Sequence, residues 1–225
     1  MTGYNRYKDD FDVYLLDLDG TLTDSAKGII NSIVYAFDKM GEKVPDMKTM
    51  NKFIGPPLNE SFPMLCGFSE EKTKVAVDFY RERYSVIGLF ENELYADTKY
   101  FLEKLKENGK KIALATSKPE EFAIRIIKKL GIKEYFDVAV GSDTAGKYAK
   151  KWQVIDKALS DLKVTDKNRV IMIGDRRYDV EGAHKCGVKC IGVLHGYGSR
   201  EEFEKARADF IEDNLTAIIV GGNFD

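Results

Sequence analysis

The sequence contains few of the residues on which many catalytic and metal sites depend. Its 225 residues include three cysteines and two histidines. Cys66, Cys186 and Cys190 are odd in number and form no Cys-x-x-Cys pair, so we expect neither disulfides nor a cysteine zinc site. His184 and His195 lack the HExxH spacing, which argues against a histidine metal site or a Ser-His triad. Any catalysis should therefore rest mainly on carboxylates, hydroxyls and lysines.

Long apolar runs and an excess of one charge are also absent. No run approaches the roughly 20 residues of a membrane span, and the start, MTGYNRYKDDFD, lacks the apolar segment of a signal peptide. Lys plus Arg (35) nearly balances Asp plus Glu (37), which leaves a net charge of -2 and suggests no polyanion-binding surface. We expect a cytoplasmic globular protein of one large or two smaller domains, with no nucleic-acid or membrane partner. The sequence does not indicate an oligomeric state.

Short apolar runs rich in β-branched residues recur along the chain and predict strands. They occupy residues 13–16, 112–115, 136–140, 170–173 and 190–194. Stretches with helical spacing of apolar residues lie between the later runs. This alternation predicts an α/β fold with a doubly wound parallel sheet.

One interval breaks the alternation and predicts an inserted domain. About 95 residues separate the first two strands, whereas a crossover needs only about a dozen. Apolar residues from Ala26 to Phe37 recur on one helical face, and Gly41 is a suitable end for that helix. We therefore expect one domain from residues 1–22 and 96–225, and a small helical domain from residues 23–95.

Polar residues follow the predicted strands at the points where they end. Asp17 and Asp19 follow the first strand, Thr116 follows the second, and Asp175 and Asp179 follow the fourth. Because ligands of doubly wound sheets bind beyond the carboxyl ends of the strands, these side chains should meet. Carboxylates as close as Asp17 and Asp19 require a compensating cation or hydrogen bonds. Since we expect no cationic side chain among Asp17, Asp19 and Asp175, the pattern predicts Mg²⁺, which prefers oxygen ligands.

The same residues suit phosphoryl chemistry. Asp17 can attack phosphorus as a nucleophile, and Asp19 can protonate the leaving oxygen and later deprotonate water. Mg²⁺ held between Asp17 and Asp175 would let the anionic nucleophile approach an anionic phosphate. Thr116 and a lysine would neutralise the phosphate oxygens.

At these residues the sequence resembles the haloacid dehalogenase-like (HAD) superfamily. DLDGTLTDS, ALATSKP, a downstream lysine and IGDRRYD look like its four ordered motifs. FIGPPLNESF and GVLHGYGSREEF resemble its phosphoglycolate phosphatase-like branch, which carries a helical cap. The resemblance implies a Rossmann-like core, with residues 23–95 as the cap. It also implies a Mg²⁺-dependent phosphatase of small phosphorylated metabolites, phosphoglycolate-like or nucleoside monophosphates, that forms an aspartyl-phosphate.

The resemblance also implies a role for each motif residue. Asp17 would be the nucleophile and Asp19 the acid/base, with the Asp19 carbonyl on Mg²⁺. Thr116 would bind phosphate, Asp175 would be a metal ligand, and Asp179 a second acidic residue at the metal.

The lysine of the third motif has two candidate positions in this sequence. In this branch it follows Gly-x-Arg-x-x at the start of a helix, which maps to Lys151. Tyr148 occupies the arginine position, so Lys150 stays an alternative.

Other interpretations of each motif are weaker. Asp-x-Asp-Gly alone is usually a turn, TSKP alone usually caps a helix, and GDRRYD alone could be a solvated loop. Their shared position after successive strands argues against all three. The segment GSDTAGKY matches GxxxxGK, but Tyr148 replaces the Ser or Thr that a phosphate-binding loop needs, so Lys147 is expected on the surface. A phosphomutase stays open as an alternative function. A non-enzymatic phospho-acceptor domain is a remote alternative, because the long insertion and Asp19 argue against it.

Overall fold

The computed structural model describes residues 10–143, 148 and 150–220. The chain divides into two compact units. The sheet unit is built from the described residues of 1–23 and 94–225, and the helical unit is built from residues 24–93.

The strands have the following bounds. They are β1 Val13–Leu16, β2 Thr23–Asp24, β3 Glu93–Leu94, β4 Lys111–Pro119, β5 Val138–Ser142, β6 Val170–Gly174, β7 Lys189–Val193 and β8 Phe210–Glu212. One sheet has the order β5-β4-β1-β6-β7-β8, with every neighbouring pair parallel, while β2 and β3 pair separately. The predicted α/β fold with a parallel sheet is therefore confirmed.

The α-helices have the following bounds. They are α1 Ala26–Met40, α2 Met47–Met50, α3 Leu58–Cys66, α4 Glu70–Tyr84, α5 Thr98–Glu107, α6 Glu120–Lys129, α7 Lys151–Asp161, α8 Arg177–Lys185, α9 Arg200–Ala206 and α10 Leu215–Val220. Short 3₁₀ turns occupy Asn51–Phe53, Gly88–Phe90, Lys133–Tyr135 and Lys167–Arg169. Within the described ranges, no helix has the length and apolar character needed to cross a bilayer.

Both faces of the sheet are buried, as is usual for parallel sheets. On one face, alternate residues of the central strands, such as Leu15 and Met172, pack with apolar residues of α7 and α8. On the other face, Leu16 and Ile173 are fully buried, and α5 and α6 contact the sheet on β4. Strand β1 lies at the centre of the sheet, where it pairs with β4 on one side and β6 on the other.

Strand β4 differs from the prediction and is irregular where it ends. The apolar pattern predicts its end at Ala115, but the strand runs to Pro119. Ala115 pairs with Val140 and Pro119 pairs with Ser142, so four steps along β4 match two along β5. Such a bulge adds residues to one strand and changes the direction of their side chains.

The sequence analysis missed strand β8 and placed the start of β5 too early. Strand β8 is three residues long and half-buried throughout, so it has no distinctive apolar run. Strand β5 begins at Val138 rather than at residue 136. The preceding Asp137 side chain accepts a hydrogen bond from the Ile112 backbone N–H, at 2.7 Å, in place of a backbone carbonyl.

The helical unit has its own apolar core. Helix α1 packs against α4, and a cluster of aromatic rings joins Phe37, Phe53, Phe62 and Phe68. Helix α1 ends at Gly41, which has φ +65° and closes the helix in the left-handed conformation that glycine adopts without strain. That end is the one predicted from the sequence.

Candidate active site

Three aspartates meet at the carboxyl edge of the sheet. Asp17 directly follows β1, its backbone N–H donates to the Ile173 carbonyl of β6 at 3.0 Å, and Asp175 directly follows β6. Asp179 lies in the first turn of α8. One oxygen from each of Asp17, Asp175 and Asp179 lies within 4.8 Å of the others. Asp175 and Asp179 are almost fully buried, so this is a desolvated acidic cluster.

The cluster disfavours its own negative charge. Burial raises the pKa of Asp175 well above its usual value, and the nearby Asp179 and Asp17 raise it further. Burial also raises the pKa of Asp179 to about 6, although Lys151 partly opposes this shift. A cation at this position would relieve the mutual repulsion of the carboxylates.

Lys151 is the cation that the structure places against this cluster. Its Nζ lies 2.8 Å from Asp17 Oδ1 and 2.7 Å from Asp179 Oδ1, and its side chain is 5% exposed. Burial alone would lower the pKa of Lys151, but Asp17 and Asp179 outweigh burial and raise the pKa above its usual value. Lys150 is exposed, so the geometry favours Lys151 of the two candidate lysines.

Asp19 pairs with a lysine that the sequence analysis did not single out. Lys118 Nζ lies 2.8 Å from Asp19 Oδ2. Together with Lys151, this pair shows that the expectation of no cationic side chain among Asp17, Asp19 and Asp175 is wrong. The error arose because strand β4 was expected to end before Thr116, whereas the bulged end of β4 carries Lys118 to this edge. Asp19 does not share the oxygen cluster of the other three aspartates.

Thr116 lies on the same bulge and is 2% exposed. Its Oγ1 accepts a hydrogen bond from the Lys118 backbone N–H at 3.3 Å. Helix α6 begins at Glu120 with Pro119 as its N-cap and no capping side chain. Neither the hydroxyl of Thr116 nor that of Ser117 therefore caps α6, which removes the simple capping interpretation of TSKP.

The Asp175 carboxylate is in close contact with a backbone N–H, a hydroxyl and two glycines. The Tyr197 N–H donates to Oδ2 at 2.9 Å, and the Thr21 hydroxyl approaches Oδ1 at 3.5 Å. Gly20 has φ +81°, and a Cβ at Gly20 or Gly196 would overlap Asp175. Glycine is therefore required at both positions for the backbone to come this close.

The charged residues of this edge fit a divalent cation. When ionised, the three carboxylates of Asp17, Asp175 and Asp179 carry three negative charges, and the Lys151 ammonium leaves two of them unbalanced. One Mg²⁺ would balance them, and carboxylate oxygens are ligands that Mg²⁺ prefers. The buried oxygens of Asp17, Asp175 and Asp179 are therefore suitable metal ligands.

The sequence analysis missed Lys118, Thr21 and Tyr197. No residue pattern in the sequence marks Lys118, because its place depends on the bulged end of β4, which is defined only by pairing with β5. Tyr197 contributes through its backbone N–H, which any residue other than proline could supply. Lys147 of the GxxxxGK segment lies outside the described residues.

Comparison with known proteins gives one consistent family. A family model for haloacid dehalogenase-like hydrolases matches residues 14–193. A protein of Pseudomonas aeruginosa named 5'-nucleotidase is 40% identical over 91% of this chain and 92% of its own length. The tyrosine-protein kinase PtkA of Mycobacterium tuberculosis is 38% identical over 91% of this chain and 67% of its own length.

A solved structure is similar to this chain over nearly its whole length. A predicted phosphatase from Clostridium acetobutylicum superposes with a TM-score of 0.87 at 42% identity. The match covers 92% of this chain and 96% of that one.

Proposed function

The chain belongs to the haloacid dehalogenase-like hydrolases, and from that membership we propose that it is a Mg²⁺-dependent phosphatase. It would hydrolyse phosphomonoesters of small metabolites through an aspartyl-phosphate intermediate. The superfamily membership and the hydrolase class expected from the sequence are confirmed. The metal, the intermediate, the site roles and the substrate are the content of the proposal.

The proposed reaction has two steps that use Asp17 and Asp19 differently. In the first, an Asp17 oxygen attacks phosphorus, the ester P–O bond breaks, and Asp19 gives its proton to the leaving oxygen. In the second, Asp19 takes a proton from water, which attacks the phosphoaspartate and releases phosphate with Asp17 restored. Asp19 therefore starts protonated, loses that proton to the alcohol and regains one from water, so the enzyme ends in its starting state and the products are the alcohol and inorganic phosphate.

The other residues would neutralise charge. Thr116 and Lys151 would hold the oxygens of the transferred phosphate, which removes repulsion between that phosphate and Asp17. Asp17, Asp175 and Asp179, with the Asp19 carbonyl, would hold Mg²⁺. When bound, Mg²⁺ would supply positive charge that stabilises the transition state.

The observation that carries this proposal is the position of Lys151. A fully buried ammonium lies within 2.8 Å of both Asp17 and Asp179, at the edge where Thr116 and Asp175 also lie. A structural ion pair alone would not require a third buried carboxylate whose pKa is raised. An anion-binding site beside a cation site accounts for all of these groups.

We propose that the helical unit is a cap domain and that it determines substrate choice. Residues 1–22 and 96–225 would form that core, and residues 23–95 the cap. The four motifs bind phosphate common to any ester, so recognition of the leaving group must come from elsewhere. Phosphoglycolate-like esters and nucleoside monophosphates are the classes to assay first, because the sequence resembles the phosphoglycolate phosphatase-like branch and a relative is named 5'-nucleotidase.

The deciding experiment traps the phosphoaspartate. Purified protein is mixed with a phosphomonoester and Mg²⁺, quenched in acid, and examined by mass spectrometry for phosphate on the DLDGTLTDS peptide. Wild type should carry the phosphate on Asp17 and release inorganic phosphate, while Asp17→Asn should do neither. Asp19→Asn should turn over slower by roughly 10² to 10⁴.

Two other outcomes would contradict the proposal. Full turnover in excess EDTA, with metal content verified as negligible, would exclude the metal-dependent mechanism. Phosphate recovered on another hydroxyl of the substrate would indicate a phosphomutase, and a stable phosphoprotein without turnover would indicate a phospho-acceptor domain.

A further inference from the structure

The proposed reaction leaves one buried lysine of the site without a role. Lys118 Nζ lies 2.8 Å from Asp19 Oδ2, and the Lys118 side chain is 6% exposed. Lys151 pairs with Asp17 and Asp179 instead. The two lysines therefore contact different carboxylates, and Lys118 is the one that contacts Asp19, the proposed acid/base.

The local backbone holds Lys118 in this place. It lies in the bulged end of β4, where two residues more than in β5 separate the paired positions. The Lys118 N–H donates to Thr116 Oγ1 at 3.3 Å, and Ser117 between them is exposed. A hydroxyl that accepts from the N–H two residues ahead fixes a tight local turn. The segment that presents the phosphate-binding hydroxyl thus also presents the Lys118 ammonium.

The two oxygens of the Asp19 carboxylate have different surroundings. Oδ2 is the oxygen that contacts Lys118. Oδ1 is buried and accepts no hydrogen bond within the part of the chain that the structure describes. Buried polar atoms of proteins are nearly always paired, so such an atom at a catalytic edge points to a partner that is not part of the chain.

We infer that Lys118 is a positioning residue for Asp19. It holds the carboxylate through Oδ2, so that Oδ1 is the oxygen that exchanges protons with the reacting groups. In the first step the Oδ1–H bond breaks as the O–H bond of the leaving alcohol forms; in the second, Oδ1 takes a proton from water. This inference rests on the proposed function, because it uses Asp19 as the acid/base.

The test compares two esters that need the acid to different degrees. Ethyl phosphate must expel an alkoxide unless its oxygen is protonated, whereas p-nitrophenyl phosphate expels a stable phenolate. The measured quantity is kcat/KM, which depends only on the steps up to and including departure of the leaving group. Lys118→Met should lower kcat/KM by roughly 10 to 100-fold for ethyl phosphate, a size typical of a misplaced catalytic group. It should lower kcat/KM for p-nitrophenyl phosphate far less.

Three further variants separate positioning from a general charge effect. Lys118→Arg keeps the charge and should recover part of the activity on ethyl phosphate. Lys205→Met removes an exposed lysine of α9 that pairs with Glu201 and should leave both esters unaffected. In an Asp19→Asn background, Lys118→Met should cause little additional loss, because two residues that act as one unit are not additive.

Either of two kinetic results would overturn the inference. An equal fall in kcat/KM for both esters, or an undiminished effect of Lys118→Met in the Asp19→Asn background, would mean that Lys118 acts on the transferred phosphate. A crystal structure of Lys118→Met with Mg²⁺ and inorganic phosphate gives a readout that does not depend on turnover. An Asp19 carboxylate unmoved from its wild-type position would also overturn the inference. If wild type hydrolyses neither ester, the proposed function fails, and this structural comparison still decides whether Lys118 orients Asp19.

Discussion

Lys151 Nζ lies 2.8 Å from Asp17 Oδ1, although 134 positions separate the two residues in the sequence. Asp17 follows β1 and Lys151 opens α7. The ammonium also contacts Asp179, so it links the residue after the central strand to the first turn of α8. Lys151 therefore has both a proposed catalytic role and a structural one, which experiments can separate.

Replacing Lys151 should cost activity, and replacing its neighbour should not. Lys151→Met should lower kcat/KM for phosphomonoesters by roughly 10² to 10³, the size expected for removing one stabilising group of a transition state. It should also lower the free energy of unfolding by roughly 3 to 5 kcal/mol, because two buried carboxylates lose their cation. Lys150→Met is the matched control, since Lys150 is exposed. Equal losses for the two variants in steady-state assays and urea unfolding would refute the assignment of Lys151.

Replacing the buried Asp175 carboxylate should stabilise the metal-free protein and abolish the stabilisation that Mg²⁺ gives. Asp175→Asn should raise the free energy of unfolding of metal-free protein by roughly 1 to 3 kcal/mol, because a desolvated charge among like charges is lost. Wild type should gain about 2.7 kcal/mol from Mg²⁺ at one hundred times its Kd, and the variant should gain nothing. Asp156→Asn, at an exposed position of α7, should behave as wild type. A normal Mg²⁺ response of Asp175→Asn in thermal unfolding would exclude Asp175 as a ligand.

Metal-free protein should become more stable as the pH falls below neutrality. The pKa of Asp179 is raised from its usual 3.8 to about 6, mainly by burial. Between these values the folded state binds more protons than the unfolded state, so the free energy of unfolding rises as the pH falls. From pH 7 to 5 the gain should be roughly 1 kcal/mol.

Asp179→Asn tests this effect, because it removes the titrating carboxylate and, with it, part of the charge that raises the pKa of Asp175. The free energy of unfolding of the variant minus that of wild type should decrease as the pH falls from 7 to 5, because only wild type gains stability from protonation of Asp179. Both values are measured by urea titration of Trp152 fluorescence. Saturating Mg²⁺ should reverse the wild-type trend, since protons and the metal compete for the same oxygens. A pH-independent difference in metal-free protein would contradict the prediction.

Substitutions in the helical unit should change substrate preference without changing the chemistry. Leu58→Ala, at the start of α3 in FIGPPLNESF, should alter relative kcat/KM among phosphorylated metabolites and spare p-nitrophenyl phosphate. Val75→Ala is a control from the same unit, because Val75 is 45% exposed on α4. Preferences that stay unchanged across a panel of such variants would place specificity in the sheet unit.

The parts of the site that follow directly from strand ends could be predicted from the sequence. Asp17 and Asp175 come immediately after apolar runs that form β1 and β6, and parallel neighbours place their carboxyl ends together. Thr116 was expected at this edge for the same reason. The apolar pattern therefore located these residues without knowledge of the strand order.

Lys118 could not be located in the same way. Its place depends on two extra residues in β4, which are defined only by pairing with β5. Side-chain alternation cannot be followed through a bulge from one strand alone, because the insertion changes which face each residue occupies. The hydrogen bond from the Tyr197 backbone N–H to Asp175 could not be predicted either, because every residue except proline has a backbone N–H.

The close approach of glycine backbone to the acidic cluster limits how this enzyme can evolve. A side chain at Gly20 or Gly196 would overlap Asp175, and one at Gly174 would overlap Asp179. Random mutagenesis should therefore recover no active variants at these three positions, whatever substrate is used for selection. Ser117 is exposed and lies between Thr116 and Lys118, so it can vary without disturbing the carboxylates. New activities should arise through such tolerant positions and through the helical unit, while the edge that carries the acidic cluster stays fixed.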